Sequence, residues 1–184
     1  AISQSGESLD TLMAMRHASE LGLKSVGIVN VPESTIAREA DIVLPTRAGP
    51  EIGVASTKAF TAQLTVLFSL AIRLGLKRGH LTATQSEIYE TIALSLPGAV
   101  GQAISQFEAV RTVSQSLKRA ETCLFLGRGP LYPLALEAAL KLKELSYIHA
   151  EGFAAGEMKH GPIALIEDGL PVICLLDNHE LSAK

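Results

Sequence analysis

Residues 25–46 read SVGIVNVPESTIAREADIVLPT, and this pattern sets the fold class. The first seven of these residues are apolar enough for a buried strand, which Pro32 closes. A short helix is predicted over 34–40 with Ser34 as its N-cap, and a second strand is predicted over 41–46. Strands that alternate with helices in this way indicate a parallel sheet covered by helices.

The same alternation continues on both sides of this segment. A helix that Gly22 ends is predicted before it, and Pro97-Gly98 is expected to break a polar helical stretch further along. The remaining elements are expected as helices over 8–21, 56–76 and 131–149 and as strands over 122–126 and 172–176. The sequence therefore predicts an α/β fold with doubly wound parallel sheets, flanked by helices, in two similar halves.

The composition excludes several classes of protein. Of the 184 residues, 47% are hydrophobic and 19% charged, which is too apolar for a disordered chain. A net charge of −3 gives nucleic acid no basic surface. The apolar run 64–72 ends at Arg73 and falls short of the ~20 residues that a membrane helix needs. Cys123 and Cys174 lie in apolar runs, which predicts two buried, reduced thiols in a cytoplasmic protein.

A hydroxyl-rich loop, SQSGES at residues 3–8, lies between a strand stub and a predicted helix. Helix N-termini present unpaired N–H groups and a partial positive charge, and serine hydroxyls add short donors, so such a loop suits a phosphate. The loop matches neither a P-loop nor a dinucleotide-binding fingerprint. Serine at a helix start is also an ordinary cap, and that alternative stays open.

A second loop, AGPEIGVASTKAF at residues 48–60, leads into the long predicted helix. Its two glycines permit backbone conformations that other residues avoid. Ser56 and Thr57 are candidates to cap the helix or to donate to a ligand, and a plain turn with a cap is the alternative. Lys58 is unfavourably placed for the helix dipole, which points to an anion or carboxylate nearby.

The predicted helix over 131–149 carries Glu137, Lys141 and Glu144. Lys141 and Glu144 share one face, and Glu137 with Lys141 is a candidate surface ion pair. A half-buried Glu144 would suit the removal of a proton from a carbon next to a carbonyl, whereas a solvated charged face is the alternative. The residues expected to pack inward are Leu134, Ala138, Leu142 and Leu145.

His160 lies in AAGEMKHGP, residues 154–162. Imidazole exchanges protons near neutral pH, so His160 is a candidate proton shuttle, with a structural histidine as the alternative. The histidines have no metal-ligand spacing with cysteine or carboxylate, so neither a metal nor a cofactor is predicted.

The segments ISQSGES, EIGVASTKAF, LGRG, ALKLKELSYIHAE and GEMKHGP, in this order, resemble the isomerase half of the glucosamine-6-phosphate synthase family, the glutamine:fructose-6-phosphate aminotransferases. The resemblance covers essentially the whole chain. Members of the family carry a glutaminase domain followed by two SIS (sugar isomerase) domains. The expected organisation is a first SIS domain over 1–81, a helical connector over 82–113 and a second SIS domain over 114–184. The chain would thus begin inside one SIS domain and end inside the other.

The resemblance also implies roles for single residues. Glu144 would be the base that moves a proton between C1 and C2 of the aminated sugar, with Lys141 as its neighbour in that step. His160 would match the histidine that opens the sugar ring and that reaches into the neighbouring subunit's site. The residues implied to contact the sugar phosphate are Ser3, Gln4, Ser5, Ser8, Val54 and Ser56, with Ser8 keeping the hydroxyl where many members have threonine.

The implied reaction converts fructose 6-phosphate and glutamine-derived ammonia into glucosamine 6-phosphate, in a cytoplasmic homodimer that binds neither nucleic acid nor a membrane. The 184 residues contain no glutaminase domain, no Gly/Ser segment before the first loop and no C-terminal Schiff-base lysine, so binding and a base are expected rather than full turnover. Two alternatives stay open: a non-catalytic SIS sugar-phosphate sensor, and a related fructosamine-phosphate deglycase or sugar-phosphate isomerase. Lys141, Glu144 and His160 favour an enzyme over a sensor.

Overall fold

Two three-stranded parallel sheets form the framework of the protein in the computed structural model, which describes residues 1–177. Contacts divide the chain into a first unit, Ala1–Gln102, and a second unit, Ala103–Lys184. Each unit holds one sheet with helices packed on it. The expected α/β class with parallel sheets in two similar halves is confirmed, whereas the predicted limits of the two SIS domains and the connector stay a prediction.

The sheet of the first unit has the strand order β1-β2-β3. The elements that begin in this unit are β1 (Ile2–Ser3), α1 (Leu9–Glu20), β2 (Val26–Val29), α2 (Thr35–Glu39), β3 (Ile42–Pro45), α3 (Lys58–Lys77) and α4 (Ala83–Ser105). Both outer strands run parallel to β2, with Ile2 beside Ile28 and Val26 beside Ile42. Leu12 and Met15 of α1 are buried in one cluster with Val29 and Ile36.

The sheet of the second unit has the order β5-β4-β6. Its elements are α5 (Phe107–Leu117), β4 (Thr122–Gly127), α6 (Leu131–Ser146), β5 (His149–Ala154), two 3-10 helices (Ala155–His160 and Pro162–Leu165) and β6 (Val172–Cys174). All three strands are parallel, with Thr122 beside His149 and Leu124 beside Val172.

β5 is a strand that the sequence pattern did not predict. The helix expected over 131–149 ends at Ser146 instead, where Tyr147 takes a left-handed conformation with φ of 62°. The sequence HAEGFA of β5 has neither β-branched residues nor clear alternation, so nothing local separates it from the helix before it. Its pairing with β4 supplies the missing information.

The expected break at Pro97-Gly98 is wrong. α4 runs through both residues from Ala83 to Ser105, with Pro97 inside the helix. Proline removes one backbone donor from a helix, but the turns on both sides keep their own hydrogen bonds. In a helix of 23 residues the remaining bonds outweigh this local loss.

Close packing between α6 and its sheet corrects the expected inward face. A Cβ on Gly127 would lie 2.1 Å from the carbonyl oxygen of Leu131, and one on Gly152 would lie 2.8 Å from the backbone nitrogen of Leu136. Only small side chains fit at such an approach, so Ala135 and Ala139 are the fully buried residues of α6. Of the four residues expected inside, Ala138 and Leu142 pack against this core, whereas Leu134 and Leu145 are exposed.

The two cysteines differ in environment. Cys123 on β4 is fully buried, as expected, and this burial raises the pKa of its thiol. The expected burial of Cys174 is wrong, because its side chain is exposed. Successive residues of a strand face opposite sides, and on β6 it is Ile173 that packs on the core. Both cysteines are free thiols.

By length and composition, α3 is the one helix among residues 1–177 that qualifies as a candidate membrane span, with 11% of its apolar window buried. Its apolar character extends well beyond the run 64–72 that the sequence analysis considered. One helix of this kind does not establish a membrane span, and α3 contacts β2. The absence of a membrane span stays a prediction.

Candidate functional site

The loop of residues 3–8, here called the serine loop, joins the carboxyl end of β1 to the start of α1. Ser3 is 4% exposed, and its Oγ accepts a hydrogen bond from the backbone N–H of Gly6 at 3.0 Å. The hydroxyls of Ser3 and Ser8 are hydrogen-bonded at 2.8 Å. Ser8 occupies the N-cap of α1 but makes no side-chain cap bond, so its hydroxyl is used within the loop rather than as an ordinary cap.

The serine loop is fixed to α2 by its central residues. Gly6 has a φ of +70°, and a Cβ there would lie 1.9 Å from the Oγ of Ser34. The N–H of Ile36 donates to the carbonyl of Gly6 at 3.0 Å, and the N–H of Thr35 donates to the carboxylate of Glu7 at 2.7 Å. Hydrogen bonding to Thr35 lowers the pKa of Glu7. The loop is therefore preformed.

Ser34 is the N-cap residue of α2, as predicted, but its side chain does not cap the helix. Its hydroxyl donates to the carbonyl of Val31 at 2.8 Å and makes no cap bond to the helix. This bond holds the Ser34 side chain against Gly6, where a Cβ on residue 6 would overlap it.

A pocket of about 280 Å³ opens between the serine loop and the segment before α3. This volume is near the lower end of the range for small-molecule sites. Its lining residues are Gln4, Ser5, Ser8, Glu51, Gly53, Val54 and Ser56. The structure thus brings together five of the six residues expected to contact the sugar phosphate. The sixth, Ser3, lies buried beneath them, and their contacts with a ligand stay a prediction.

Glu51 also lines the pocket, although its sequence context gave no prediction of a role for it. Its carboxylate accepts hydrogen bonds from the N–H groups of Ala59 at 3.0 Å and Thr57 at 3.3 Å, and from the Thr57 hydroxyl at 3.2 Å. The bond from Ala59 is the main reason that the pKa of Glu51 is lowered, and Lys58 adds to the effect. The position of Lys58 in the sequence was the available signal, since it pointed to a carboxylate nearby.

Asn30, which follows β2, was also missed. Its Oδ1 accepts from the Thr46 hydroxyl at 3.0 Å and from the N–H of Ala48 at 2.8 Å, while its Nδ2 donates to the carbonyl of Gly49 at 2.7 Å. Its backbone N–H donates to the carbonyl of Gln4 at 3.2 Å. Asn30 thus connects the serine loop with the start of the segment that leads to α3.

The charged face of α6 carries a connected triad of side chains. The Nζ of Lys141 lies 2.6 Å from the Oε2 of Glu144 and 3.4 Å from the Oε1 of Glu137. The side chains of Lys141, Glu144 and Glu137 are 22%, 33% and 26% exposed, so they form an ion-pair network that solvent reaches in part. The hydrogen bond to Glu144 is the main cause of the raised pKa of Lys141, which therefore stays protonated near neutral pH.

His160 is exposed and ends the first 3-10 helix, where Gly161 follows with a φ of 139°. Within the described part of the chain, no hydrogen bond joins it to Lys141 or Glu144. The same residues contain no group of three or more histidine, cysteine, aspartate or glutamate side chains that could hold a metal ion.

Comparison with known sequences assigns the chain to the SIS domain family. A family model described as the SIS domain matches residues 1–73 and 116–183. The glutamine–fructose-6-phosphate aminotransferase (isomerizing) of Zymomonas mobilis is 54% identical over 183 residues, which cover 100% of this chain and 30% of that protein. The protein of the same name from Caulobacter vibrioides is 51% identical over 175 residues, 95% of this chain and 29% of that protein. The chain spans about 30% of the length of these curated relatives.

Solved structures agree with this result. The C-terminal domain of glucosamine-fructose-6-phosphate aminotransferase from Francisella tularensis matches with a TM-score of 0.96 and 43% identity, over 99% of this chain and 52% of that one. Glucosamine-6-phosphate deaminase from Thermotoga maritima matches with a TM-score of 0.75 and 27% identity, over 96% of this chain and 51% of that one. The resemblance inferred from the sequence motifs is confirmed.

Proposed function

We propose that this chain, which belongs to the SIS domain family, is part of the isomerase portion of a glutamine–fructose-6-phosphate aminotransferase. The single observation that carries the proposal is the hydroxyl-lined pocket at the carboxyl end of β1. Ligands of open parallel sheets bind at that edge, so its position supports a substrate site. The chemistry of its lining supports a sugar phosphate as the ligand.

Phosphate binding relies on neutral donors in this proposal. Ser5 and Ser8 offer hydroxyls to the phosphate, Ser56 offers one to the sugar, and the first turn of α1 offers unpaired N–H groups with a partial positive charge. Gln4 adds an amide donor, and Val54 forms part of the pocket wall. Ser3 holds the serine loop in shape from below. Phosphate held in this way fixes the sugar in register for a reaction at its other end.

Glu144 is the base in the proposed reaction. Ammonia adds to C2 of open-chain fructose 6-phosphate and water leaves, which gives an imine. The carboxylate removes a proton from C1 while the imine nitrogen gains one, which gives an enaminol. It then returns a proton to C2 while the O1 hydroxyl loses its own, so that two protons are lost and two gained, and glucosamine 6-phosphate results. The short bond from Lys141 holds the Glu144 carboxylate in one orientation. His160 takes part in opening the sugar ring by proton exchange.

The remaining assignments concern the protein as a whole. We place it in the cytoplasm as a homodimer, with a glutaminase domain of the full-length polypeptide as the source of ammonia. His160 acts in the neighbouring subunit's site in this proposal. The relatives named glutamine–fructose-6-phosphate aminotransferase, of which the chain spans about 30%, support glutamine as the source of ammonia in the full-length polypeptide.

A second candidate is a related enzyme that acts on the same amino sugar phosphates without glutamine. The similarity to the Thermotoga maritima glucosamine-6-phosphate deaminase favours it. The two candidates differ in whether glutamine is consumed. Production of glucosamine 6-phosphate from fructose 6-phosphate and glutamine by the full-length polypeptide would separate them.

The proposal is tested by Glu144→Gln in the full-length polypeptide, which keeps the shape of the side chain and removes the base. Formation of glucosamine 6-phosphate should fall at least ~100-fold, the contribution expected of a general base. Affinity for fructose 6-phosphate should stay within a few-fold, because the proposed phosphate contacts do not involve Glu144. Glu167→Gln, the same change at an exposed site, is the matched control. Full activity in Glu144→Gln would remove Glu144 as the base.

A further inference from the structure

We propose that Glu51 is a positioning residue of the sugar-phosphate site, whose carboxylate fixes residues 51–57, here called the wall segment, as one side of the pocket. The inference rests on the proposed function and deepens it, because it names what shapes the site that Val54 and Ser56 line. Glu51 does so through bonds to the start of α3 and leaves the direct contacts with the ligand to its neighbours.

The bonds of Glu51 close the wall segment into a ring. One carboxylate oxygen accepts from the N–H groups of Thr57 and Ala59, at 3.3 and 3.0 Å, and the other accepts from the Thr57 hydroxyl at 3.2 Å. The ring joins the first residue of the segment to its last residue and to the first turn of α3. The ring therefore holds Glu51 and Ser56 within one short, closed loop.

The start of α3 has a particular need for this carboxylate. Thr57 is the N-cap residue but makes no side-chain cap bond, and the first turn contains no acidic residue. The unpaired N–H groups at the start of a helix carry a partial positive charge that an anion satisfies. Because hydrogen bonding to Ala59 lowers the pKa of Glu51, its carboxylate is ionised at neutral pH and remains on these donors.

A carboxylate that lines a phosphate pocket would normally repel the ligand. Here the two oxygens of Glu51 are turned toward donors at the start of α3, with Lys58 nearby, so that much of the charge is compensated within the protein. The pocket can therefore contain Glu51 and still accept an anion. This arrangement also explains why Lys58 stands in the first turn of a helix, a position that is otherwise unfavourable for a cation.

Packing alone provides little support for the wall segment. Ile52 is 95% exposed and Val54 is 98% exposed, and Ala55 is the buried residue among them. Asn30 fixes the residues before the segment, through Thr46, Ala48 and Gly49. Loss of the Glu51 bonds should thus free residues 52–56 while the chain up to Gly49 and the serine loop keep their anchors.

The test compares ligand affinity in the 184-residue chain and its variants by calorimetry. Glu51→Ala should weaken binding of fructose 6-phosphate about tenfold or more, as expected for a lost charge-assisted anchor. Inorganic phosphate, which needs the serine loop alone, should lose no more than about twofold. Glu51→Gln keeps one acceptor oxygen and should restore most of the affinity. Glu87→Ala, an exposed glutamate of α4 in the same unit, is the matched control and should bind like the unaltered chain.

Amide hydrogen exchange supplies a second readout on the same samples. Exchange should quicken over residues 52–56 in Glu51→Ala and stay unchanged over residues 3–8. If Glu51→Ala does not fold, the same comparison is made with Glu51→Gln, for which a smaller shift in the same direction is expected. Equal affinity for fructose 6-phosphate with and without Glu51, or an equal loss for both ligands, overturns the inference alone. If the unaltered chain binds no fructose 6-phosphate, the proposed function fails and the inference fails with it.

Discussion

At the residue scale, the site depends on Gly6, which lets the serine loop lie against Ser34. Gly6 has a left-handed φ, and the space where its Cβ would lie is filled by Ser34. The residue types of the serine loop made its chemistry predictable, because hydroxyls before a helix suit a phosphate. The partners of Glu7 and Gly6 were not predictable, since Thr35 and Ile36 lie far along the chain.

Gly6→Ala should therefore be strongly destabilising. The change combines a left-handed alanine with overlap against Ser34, and we expect the free energy of unfolding to fall by about 2–4 kcal/mol. Urea denaturation measures this quantity. Fructose 6-phosphate binding should be lost as well, because the serine loop can no longer lie against α2.

Gly22→Ala is the matched control, since Gly22 has a similar φ of +75° and open space around it. Its cost should be only that of the backbone, about 1 kcal/mol. Gly6→Ala combined with Ser34→Gly removes the overlapping atoms and should recover much of the lost stability. A Gly6→Ala protein as stable as Gly22→Ala would contradict this account of the loop.

At the scale of elements, the sequence predicts most helices and strands but not those that depend on distant pairing. β2 and the helices on either side of it follow from apolar periodicity and from Gly22 and Pro32. β5 has no such pattern and exists because β4 lies beside it. The inward face of α6 was also misjudged, because close approach between Gly152 and the backbone of Ala135 selects alanine where periodicity suggests leucine.

The starts of β2 and β3 are joined by Asp41, which makes stability depend on pH. Its carboxylate accepts from Lys24 at 2.8 Å and from the N–H and hydroxyl of Ser25 at 2.9 and 3.1 Å. These bonds, that from Lys24 first, lower the pKa of Asp41 from 3.8 to about 2. A carboxyl whose pKa is lower in the folded state than in the unfolded state stabilises the fold at pH values above its unfolded-state pKa. This stabilisation is lost as the pH falls toward its folded-state pKa.

Asp41→Asn should thus lower the unfolding temperature at pH 7, and the difference from the unaltered chain should shrink between about pH 4 and pH 2. Thermal unfolding followed by circular dichroism across this range measures it. The effect should weaken in high salt, since Asp41 is exposed. Asp168→Asn, an exposed aspartate in the turn before β6, is the control. A difference that does not depend on pH would contradict the assigned role of the ion pair.

At the scale of the whole molecule, the α/β class and the two similar halves were predictable from the alternation of elements. The contact division falls between Gln102 and Ala103, within α4 and within the predicted connector over 82–113, whose limits stay a prediction. The serine loop and the α6 triad lie in separate units. Binding and proton transfer can therefore be tested by separate substitutions.

The proposed function depends on the binding of a sugar phosphate by the serine loop, through its phosphate group. Its most direct test is a calorimetric titration of the 184-residue chain with fructose 6-phosphate, with fructose and inorganic phosphate run beside it. We expect saturable binding of fructose 6-phosphate, tighter than that of either part, and its loss when Ser3→Ala is combined with Ser5→Ala. A chain that is folded by circular dichroism and does not prefer fructose 6-phosphate, or that binds it equally well without the two hydroxyls, would contradict the claim.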